Sequence, residues 1–342
     1  MQRILLIRLS AIGDIVFASP VIHALRRRYP EAHIAWLTEP AQAQLLEHHP
    51  GLDEVIVWPK AKWKQLWKAR KLRTLLHEYR IFSANLKARQ FDTAIDMQGL
   101  LKSGIWARIS RASERIGLGS REGSQYLMTR VIEKGGDAAM IGSEYRYLAT
   151  ELGLNTTPFP MQVQSDLRSL RRAETMIEEN GLSDGFAVIC PFTTRPQKHW
   201  FDDAWRTLIP MIHEQLKMPV VMLGGPGDTD AAKNISDGID IIDLTGTTSL
   251  LEANALISRC ALLIGVDTGL THLGSAWEKP TVALFGSTCP YLKTDSPRTR
   301  IIWHALDCSP CRRNPSCNGQ FTCLRDITAG EVLKEAQQAL AA

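Results

Sequence analysis

Residues 261–286 read ALLIGVDTGLTHLGSAWEKPTVALFG. The runs ALLIGV and PTVALFG are apolar, of strand length and rich in branched residues, and GLTHLGSAWEK between them has the length and pattern of a helix. Strand, helix and strand in succession form a crossover unit, which returns the second strand parallel to the first. Such strands are covered on both faces, so they read as continuous apolar runs rather than alternating ones. The turn leaving the first strand carries a carboxylate, two threonines, two glycines and a histidine.

The same rhythm extends in both directions. Towards the N-terminus of this half, FAVICPF, PVVMLGG and IIDLTG are strand runs separated by helical segments, and ITAGEVLKEAQQALA closes the chain as a helix. In the first half, RILLIRL, AHIAWLT, DEVIVW, FDTAIDMQG and RASERIGLG are strands, again with helical stretches between them. Pro20 fits the first turn of the helix after RILLIRL, and Pro30 stops it. The segment GLNTTPFPMQ, residues 153–162, has little periodicity and is the linker candidate. The expectation is an α/β protein of two successive parallel-sheet domains, 1–155 and 156–342, with ligands at the C-terminal ends of the strands in a cleft between them.

The chain has 342 residues, enough for two domains, with 44% apolar and 22% charged residues. It lacks the roughly 18 uninterrupted apolar residues of a membrane span, and its N-terminus lacks the pattern of a signal peptide. A cytoplasmic location is therefore expected. The net charge of +4 divides unevenly: residues 1–165 carry 23 Lys/Arg against 15 Asp/Glu, and residues 166–342 carry 17 against 21. The first half suits an anionic partner.

Four strands of the second half end in small, hydroxylated or charged residues. They present Thr193, Thr194, Arg195, Lys198 and His199; Gly224, Gly225, Gly227 and Asp228; Thr245 to Thr248; and Asp267, Thr268 and Gly269. Glycines let backbone approach a ligand, hydroxyls and helix N-terminal N–H groups bind phosphate, and Lys198 neutralises a diphosphate. Four such ends on one edge point to a nucleotide or nucleotide-sugar site. The phosphate loop of P-loop enzymes and the G-x-G-x-x-G fingerprint are both missing from the sequence. In the first half, Ser10, Gly13 and Asp14 follow the first strand, and Asp96, Gln98, Gly99, Lys102 and Ser103 follow the fourth. Asp14 either favours its helix N-terminus or faces the cleft as a base for a hydroxyl proton. Asp267 either caps the following helix or serves the ligand, and His272 is either a packed structural residue or a ligand contact.

RLSAIGDIVFASPVIHALRRRYP, IDMQGLLKSG, FTTRPQKHW and VDTGLTHLGSAWEKPTVALFGSTCP together resemble the ADP-heptose:lipopolysaccharide heptosyltransferases of glycosyltransferase family 9, most of all the heptosyltransferase I type. The resemblance covers most of the chain in order. It implies a GT-B fold of two Rossmann-like domains, with the donor ADP-heptose held mainly by the C-terminal one. It also implies inverting chemistry with no metal required for catalysis. Asp14 would be the general base on the acceptor hydroxyl, with Lys198 stabilising the departing ADP. Thr193, Thr194 and Lys198 would bind the ADP phosphates; Asp267, Thr268, Gly269 and His272 would lie at the donor phosphates and sugar; Asp228 would match a nucleotide-contacting position. Lys60, Lys62, Lys64, Gln98 and Arg121 would meet the acceptor, a Kdo-lipid A type core. A family member acting on a second core heptose or a protein side chain, and a non-catalytic nucleotide-sugar binding protein, are the competing readings.

Residues 60–89 hold ten Lys/Arg and one acid, Glu78, interleaved with Trp63, Leu66, Trp67, Leu75, Leu76 and Tyr79. This is either a solvated helix face or a surface for the phosphorylated acceptor and the anionic inner leaflet, to which the enzyme would bind peripherally. No nucleic-acid motif accompanies it. Cys190, Cys260 and Cys289 are scattered and read as packed thiols. Cys308, Cys311, Cys317 and Cys323 fall within CSPCRRNPSCNGQFTC. Their readings are a structural Zn or Fe site, reduced thiols, or disulfides, and some protein-modifying members of the resembled family carry a cysteine-bound iron.

Overall fold

A computed structural model describes residues 1–288, 291–311 and 314–342, so Cys289 lies outside the described residues. The chain divides into two compact units: Met1–Ala138 with Gly142–Val163, and Ala139–Ile141 with Gln164–Ala342.

The first unit is built on strands β1 Arg3–Ile7, β2 His33–Thr38, β3 Glu54–Val57, β4 Thr93–Asp96, β5 Glu114–Leu118 and β6 Arg130–Ile132. All pair in parallel, in the order β3-β2-β1-β4-β5-β6. Successive residues of β1 serve opposite faces. Ile4 and Leu6 join a core with Trp36, Ile95 and Leu148, whereas Leu5 and Ile7 join another with Leu37, Ala94 and Trp106. That two-sided burial explains why the strand reads as an unbroken apolar run. The long basic segment is two helices, Lys60–Lys68 and Leu72–Ala88. The break falls where Arg70 takes a left-handed conformation at φ 55°. The stretch after β2, expected as one short helix, is helical only over Pro40–Ala43 and continues as turns.

The second unit repeats the plan with β7 Ala187–Cys190, β8 Val220–Met222, β9 Ile242–Asp243, β10 Leu262–Val266, β11 Thr281–Phe285 and β12 Thr299–Trp303. Its parallel sheet runs β12-β11-β10-β7-β8-β9. Counted from each unit's first strand, both sheets have the order 3-2-1-4-5-6 of the doubly wound Rossmann arrangement. The α/β expectation therefore holds in both halves. Each sheet also has a sixth strand that patterning did not show. β6 is three residues long and begins with an exposed Arg130, and β12 is only half-buried, so neither presents the fully apolar run of an inner strand. The closing helix, Ala329–Ala341, is capped by Thr328, whose side chain accepts from the Glu331 N–H at 3.2 Å.

This order puts a switch point between β1 and β4 in one sheet and between β7 and β10 in the other. At a switch point the connections leave to opposite faces and open a crevice at the C-terminal ends of the strands.

Candidate active site

In the first unit, β1 runs into Arg8 and then into the helix Ile12–Ala18. Asp14 stands at the third position of that helix. Its Oδ2 accepts from the Ala11 N–H at 3.0 Å and from Arg8 Nη2 at 2.6 Å. Its Oδ1 accepts nothing from the described residues, and 39% of the Asp14 side chain is exposed. So the carboxylate does favour its helix N-terminus, but with one oxygen, leaving the other for a ligand. Arg8 is buried and also donates to the Met97 carbonyl at 2.9 Å. Burial opposes its charge, while Tyr145 and the Asp14 and Glu144 carboxylates around it hold it protonated. Nothing local marks Arg8, because its contact with Met97 depends on β4 lying beside β1.

Gln98 crosses the same switch point. Its Oε1 accepts from the Leu9 N–H at 2.9 Å, which places it beside the Asp14 turn. Below it, Asp96 is fully buried and accepts from the Gln98 and Gly99 N–H groups and from Ser103 Oγ. Burial pushes its carboxyl up to about 6, against these hydrogen bonds and the charge of Arg8. Gly99 sits at φ +66°, and a Cβ there would lie 2.4 Å from the Leu118 carbonyl oxygen, so the turn requires glycine.

In the second unit the switch point is bridged by an ion pair. Lys198, in the short turn of 3-10 helix Pro196–Lys198 after β7, places Nζ 2.5 Å from Oδ2 of Asp267, at the end of β10. Nζ also donates to the Asp267 carbonyl at 3.2 Å. Thr288 Oγ1 donates to the same Oδ2 at 2.5 Å, and His272 Nε2 lies 3.1 Å from Oδ1. Burial works against the Asp267 charge, but His272 and Lys198 more than offset it and hold the carboxyl well below the usual carboxylate range. His272 is buried, and its Nδ1 lies 2.7 Å from the Tyr291 hydroxyl.

These contacts bear on two of the alternatives. The hydrogen bonds of the Asp267 carboxylate come from side chains and not from the backbone N–H groups of the helix it precedes, Gly269–Ala276, whose N-cap Thr268 makes no side-chain cap either. Asp267 is therefore no cap. His272 is packed, and both of its ring nitrogens have partners within the protein, Tyr291 and Asp267. Thr288 and Tyr291 were not singled out from sequence, because they lie 21 and 19 residues from their partners and reach them only through the fold. The helix approaches β10 closely at Gly265, where a Cβ would come within 2.2 Å of Thr271 Oγ1.

The remaining candidates scatter in role. Thr194 is exposed, and Thr193, Thr268 and Gly269 are half-buried at the same strand ends, with the Thr193 carbonyl 2.7 Å from His199 Nε2. Asp228 Oδ2 accepts from the Gly225 N–H at 2.8 Å and holds its own turn after β8. Lys60 pairs with Glu39 at 2.8 Å and lies over the Trp58 ring, and Lys62 pairs with Glu78 at 2.9 Å. Lys64 is exposed with no ionic partner among the described residues. Arg121 is exposed and bonds the Gly99 carbonyl through its backbone N–H at 3.0 Å. Burial, and then the charge of Lys60, lower the Lys102 ammonium, so the two lysines lie near each other.

The four clustered cysteines are Cys308, Cys311, Cys317 and Cys323. Among the described residues, no three His, Cys, Asp or Glu side chains converge as a metal site, and these four cysteines are free thiols. Cys323 is buried in the helix Thr322–Arg325 against Gly286, whereas Cys308 is exposed to solvent. They feel one another electrostatically: burial first, and then the neighbouring thiols, push Cys311 and Cys323 up. Cys190 and Cys260 are buried, as expected of packed thiols.

Comparison with known proteins bears on these strand ends. The model of glycosyltransferase family 9 (heptosyltransferase) matches residues 79–321. Lipopolysaccharide heptosyltransferase 1 of Salmonella typhimurium is 28% identical over 300 residues, which cover 85% of this chain and 90% of that protein. A solved glycosyltransferase of family 9 from Veillonella parvula superposes with a TM-score of 0.86 at 21% identity, over 99% of this chain and 97% of that one. E. coli heptosyltransferase WaaC with ADP-2-deoxy-2-fluoro heptose superposes with a TM-score of 0.74 at 23% identity, over 98% and 99%. The two solved structures share the two-sheet GT-B fold.

Proposed function

The chain belongs to glycosyltransferase family 9, the heptosyltransferases, and from that premise we propose that it moves heptose from ADP-heptose onto the Kdo-containing inner core of lipopolysaccharide, inverting the anomeric carbon. The related Salmonella protein is named for lipopolysaccharide, and the E. coli structure was solved with an ADP-heptose analogue. The donor is assigned to the Lys198–Asp267 end of the second unit and the acceptor to the Asp14 end of the first.

The observation that carries this reading is the pair of contrasting carboxylates at the two switch points. Asp14 keeps Oδ1 open while Arg8 and the Ala11 N–H hold Oδ2. In the proposed step, the acceptor hydroxyl oxygen forms a bond to the anomeric carbon and gives its proton to Asp14 Oδ1. The bond from that carbon to the β-phosphate oxygen breaks on the opposite face, and ADP leaves with its new negative charge. Lys198, with the N–H groups that open the helix Gly269–Ala276, stabilises that charge. A fixed ammonium in a half-buried turn performs the charge work without a metal ion. Asp267, already taken by three donors, holds Lys198 in place rather than receiving a proton.

Incubating the purified protein with ADP-heptose and a panel of Kdo-terminated and heptose-terminated lipid A acceptors tests the proposal. It expects ADP release and a heptose added to the Kdo-terminated members. Transfer confined to heptose-terminated acceptors or to protein would move the enzyme elsewhere in its family, and donor binding without transfer would favour the binding-protein reading.

A further inference from the structure

The helices Lys60–Lys68 and Leu72–Ala88 contribute few side chains to the core. Lys60–Lys68 buries none, and Leu72–Ala88 buries only Ser83 and Leu86. Inward aromatic packing holds the hairpin on the first unit. Trp63 meets Phe82 at 5.7 Å and Tyr79 at 6.0 Å between ring centroids, and Phe82 meets Trp106 at 5.0 Å. Outward, near the turn that joins the helices, the apolar residues are uncovered. Trp67 is 66% exposed, Leu72 53% and Leu76 48%. Trp67 precedes the turn, Leu72 follows it, and Leu76 lies one helical turn beyond Leu72.

The same tip is strongly basic. Lys64, Lys68, Arg70, Lys71 and Arg73 are exposed and have no ionic partner among the described residues. The one acid of the segment, Glu78, is taken by Lys62. A solvated helix face would explain the charges but not a two-thirds-exposed tryptophan flanked by two exposed leucines. A polyanion such as RNA would pair with the charges and leave these apolar groups wet. An anionic bilayer satisfies both: lysine and arginine meet phosphate headgroups while tryptophan and leucine enter the boundary with the acyl chains. Among the described residues no helix is long and apolar enough to cross a membrane, so the hairpin would lie on the surface.

We propose that the tip of this hairpin, Trp67 and Leu72 with Leu76 and the surrounding Lys68, Arg70, Lys71 and Arg73, docks the protein on an anionic phospholipid surface. This deepens the reading above, because it rests on an acceptor that is itself lipid-linked. It separates two functions within the basic segment: the base of the hairpin, at Lys60, faces the acceptor end of the sheet, and the tip holds the bilayer.

The test is co-sedimentation of the full chain with vesicles, in the absence of donor and acceptor. One set contains phosphatidylglycerol and phosphatidylethanolamine, and the other only phosphatidylcholine. The wild type should bind the first and not the second. Near an acidic surface each basic residue contributes roughly fivefold in affinity, so Lys68→Glu/Arg70→Glu/Lys71→Glu should weaken binding by about a hundredfold or more. Trp67→Ser/Leu72→Ser/Leu76→Ser should abolish the part of the binding that survives high salt. Both variants should melt like the wild type and transfer to a detergent-free, soluble Kdo oligosaccharide at the wild-type rate, while losing transfer to vesicle-embedded acceptor. Equal binding to neutral vesicles, undiminished binding of both triple variants, or displacement of the hairpin from vesicles by RNA at stoichiometric amounts would overturn the proposal. Failure of the soluble-acceptor assay with vesicle binding intact would instead count against the proposed reaction.

Discussion

The two switch points are built alike but leave different groups open. Each pairs a cation with a carboxylate where the sheet's connections diverge: Arg8 with Asp14 at the end of β1, and Lys198 with Asp267 between the ends of β7 and β10. In the first pair the cation is buried and the carboxylate is open on one oxygen, with 39% of its side chain exposed. In the second both side chains are largely buried, 16% exposed for Lys198 and 13% for Asp267, and both carboxylate oxygens are taken. A group that is to accept a proton needs an unoccupied lone pair. A group whose acceptors are filled and whose carboxyl is held below the usual range has no such capacity. Two cation–carboxylate pairs thus leave a carboxylate oxygen open in one unit and none in the other, and the difference lies in how many donors reach each carboxylate.

The largest effect expected from this contrast is at Asp14. Asp14→Ala should lower kcat by about 10²–10⁴-fold, the usual range for a general base, while ADP-heptose binding by calorimetry stays at the wild-type affinity. Retention of full activity would remove the contrast altogether. Lys198→Ala comes next. Losing a preorganised charge at the leaving group should cost roughly 10²–10³-fold in kcat and weaken ADP binding as well, so the two variants should separate in a titration with ADP alone. If Lys198→Ala binds ADP normally, the Lys198–Asp267 pair is structural.

A third effect concerns stability and sets Asp96 against Asp267. Asp96 titrates at about 6 in the folded state against 3.8 unfolded. Between those values the native state binds more protons than the unfolded one, so this group lowers stability as pH rises from about 4 to about 6, by about 3 kcal/mol in total. Asp267 has the opposite sign: its carboxyl is held low, so its contribution is present above about 4 and is lost as the pH falls further. Urea unfolding of Asp96→Asn at several pH values should show the wild-type decline between pH 4 and 6 flattened. An unchanged profile would mean that the β4 turn relaxes to solvate the carboxylate.

Much of this was legible in the sequence, and the omissions have a common cause. β1, β10 and β11 are buried on both faces and announce themselves as apolar runs. β6 and β12 are edge strands whose residues answer to one neighbour only, and their pattern is correspondingly faint. Asp14, Lys198 and Asp267 stand out as polar residues at strand ends, where the doubly wound fold places ligands. Arg8, Thr288 and Tyr291 do not, because nothing local distinguishes a strand-end arginine or a loop tyrosine from a solvated one. Their importance arises from partners that only the sheet order and the return of the chain bring near. The four clustered cysteines stay near one another in the fold, where Cys308, Cys311 and Cys317 all act on the charge of Cys323.

The smallest effect tests how far the second site depends on such a distant partner. Burial, and then the Asp267 charge, push the Tyr291 phenol well above its ordinary value, so it keeps its proton, and its hydroxyl lies 2.7 Å from His272 Nδ1. The other ring nitrogen, Nε2, faces Asp267 Oδ1 at 3.1 Å. Tyr291→Phe removes one neutral hydrogen bond, worth about 1 kcal/mol, and frees the ring to change tautomer. The expected result is a rise of roughly fivefold in KM for ADP-heptose with little change in kcat, and a shift of the His272 ring nitrogen resonances towards the other tautomer. A loss in kcat as large as that of Lys198→Ala would place Tyr291 at the reacting atoms and erase the distinction between the site's charge holder and its supports. Unaltered kinetics and resonances together would show that Asp267 and Thr288 hold the site without the histidine's tautomer being set at all.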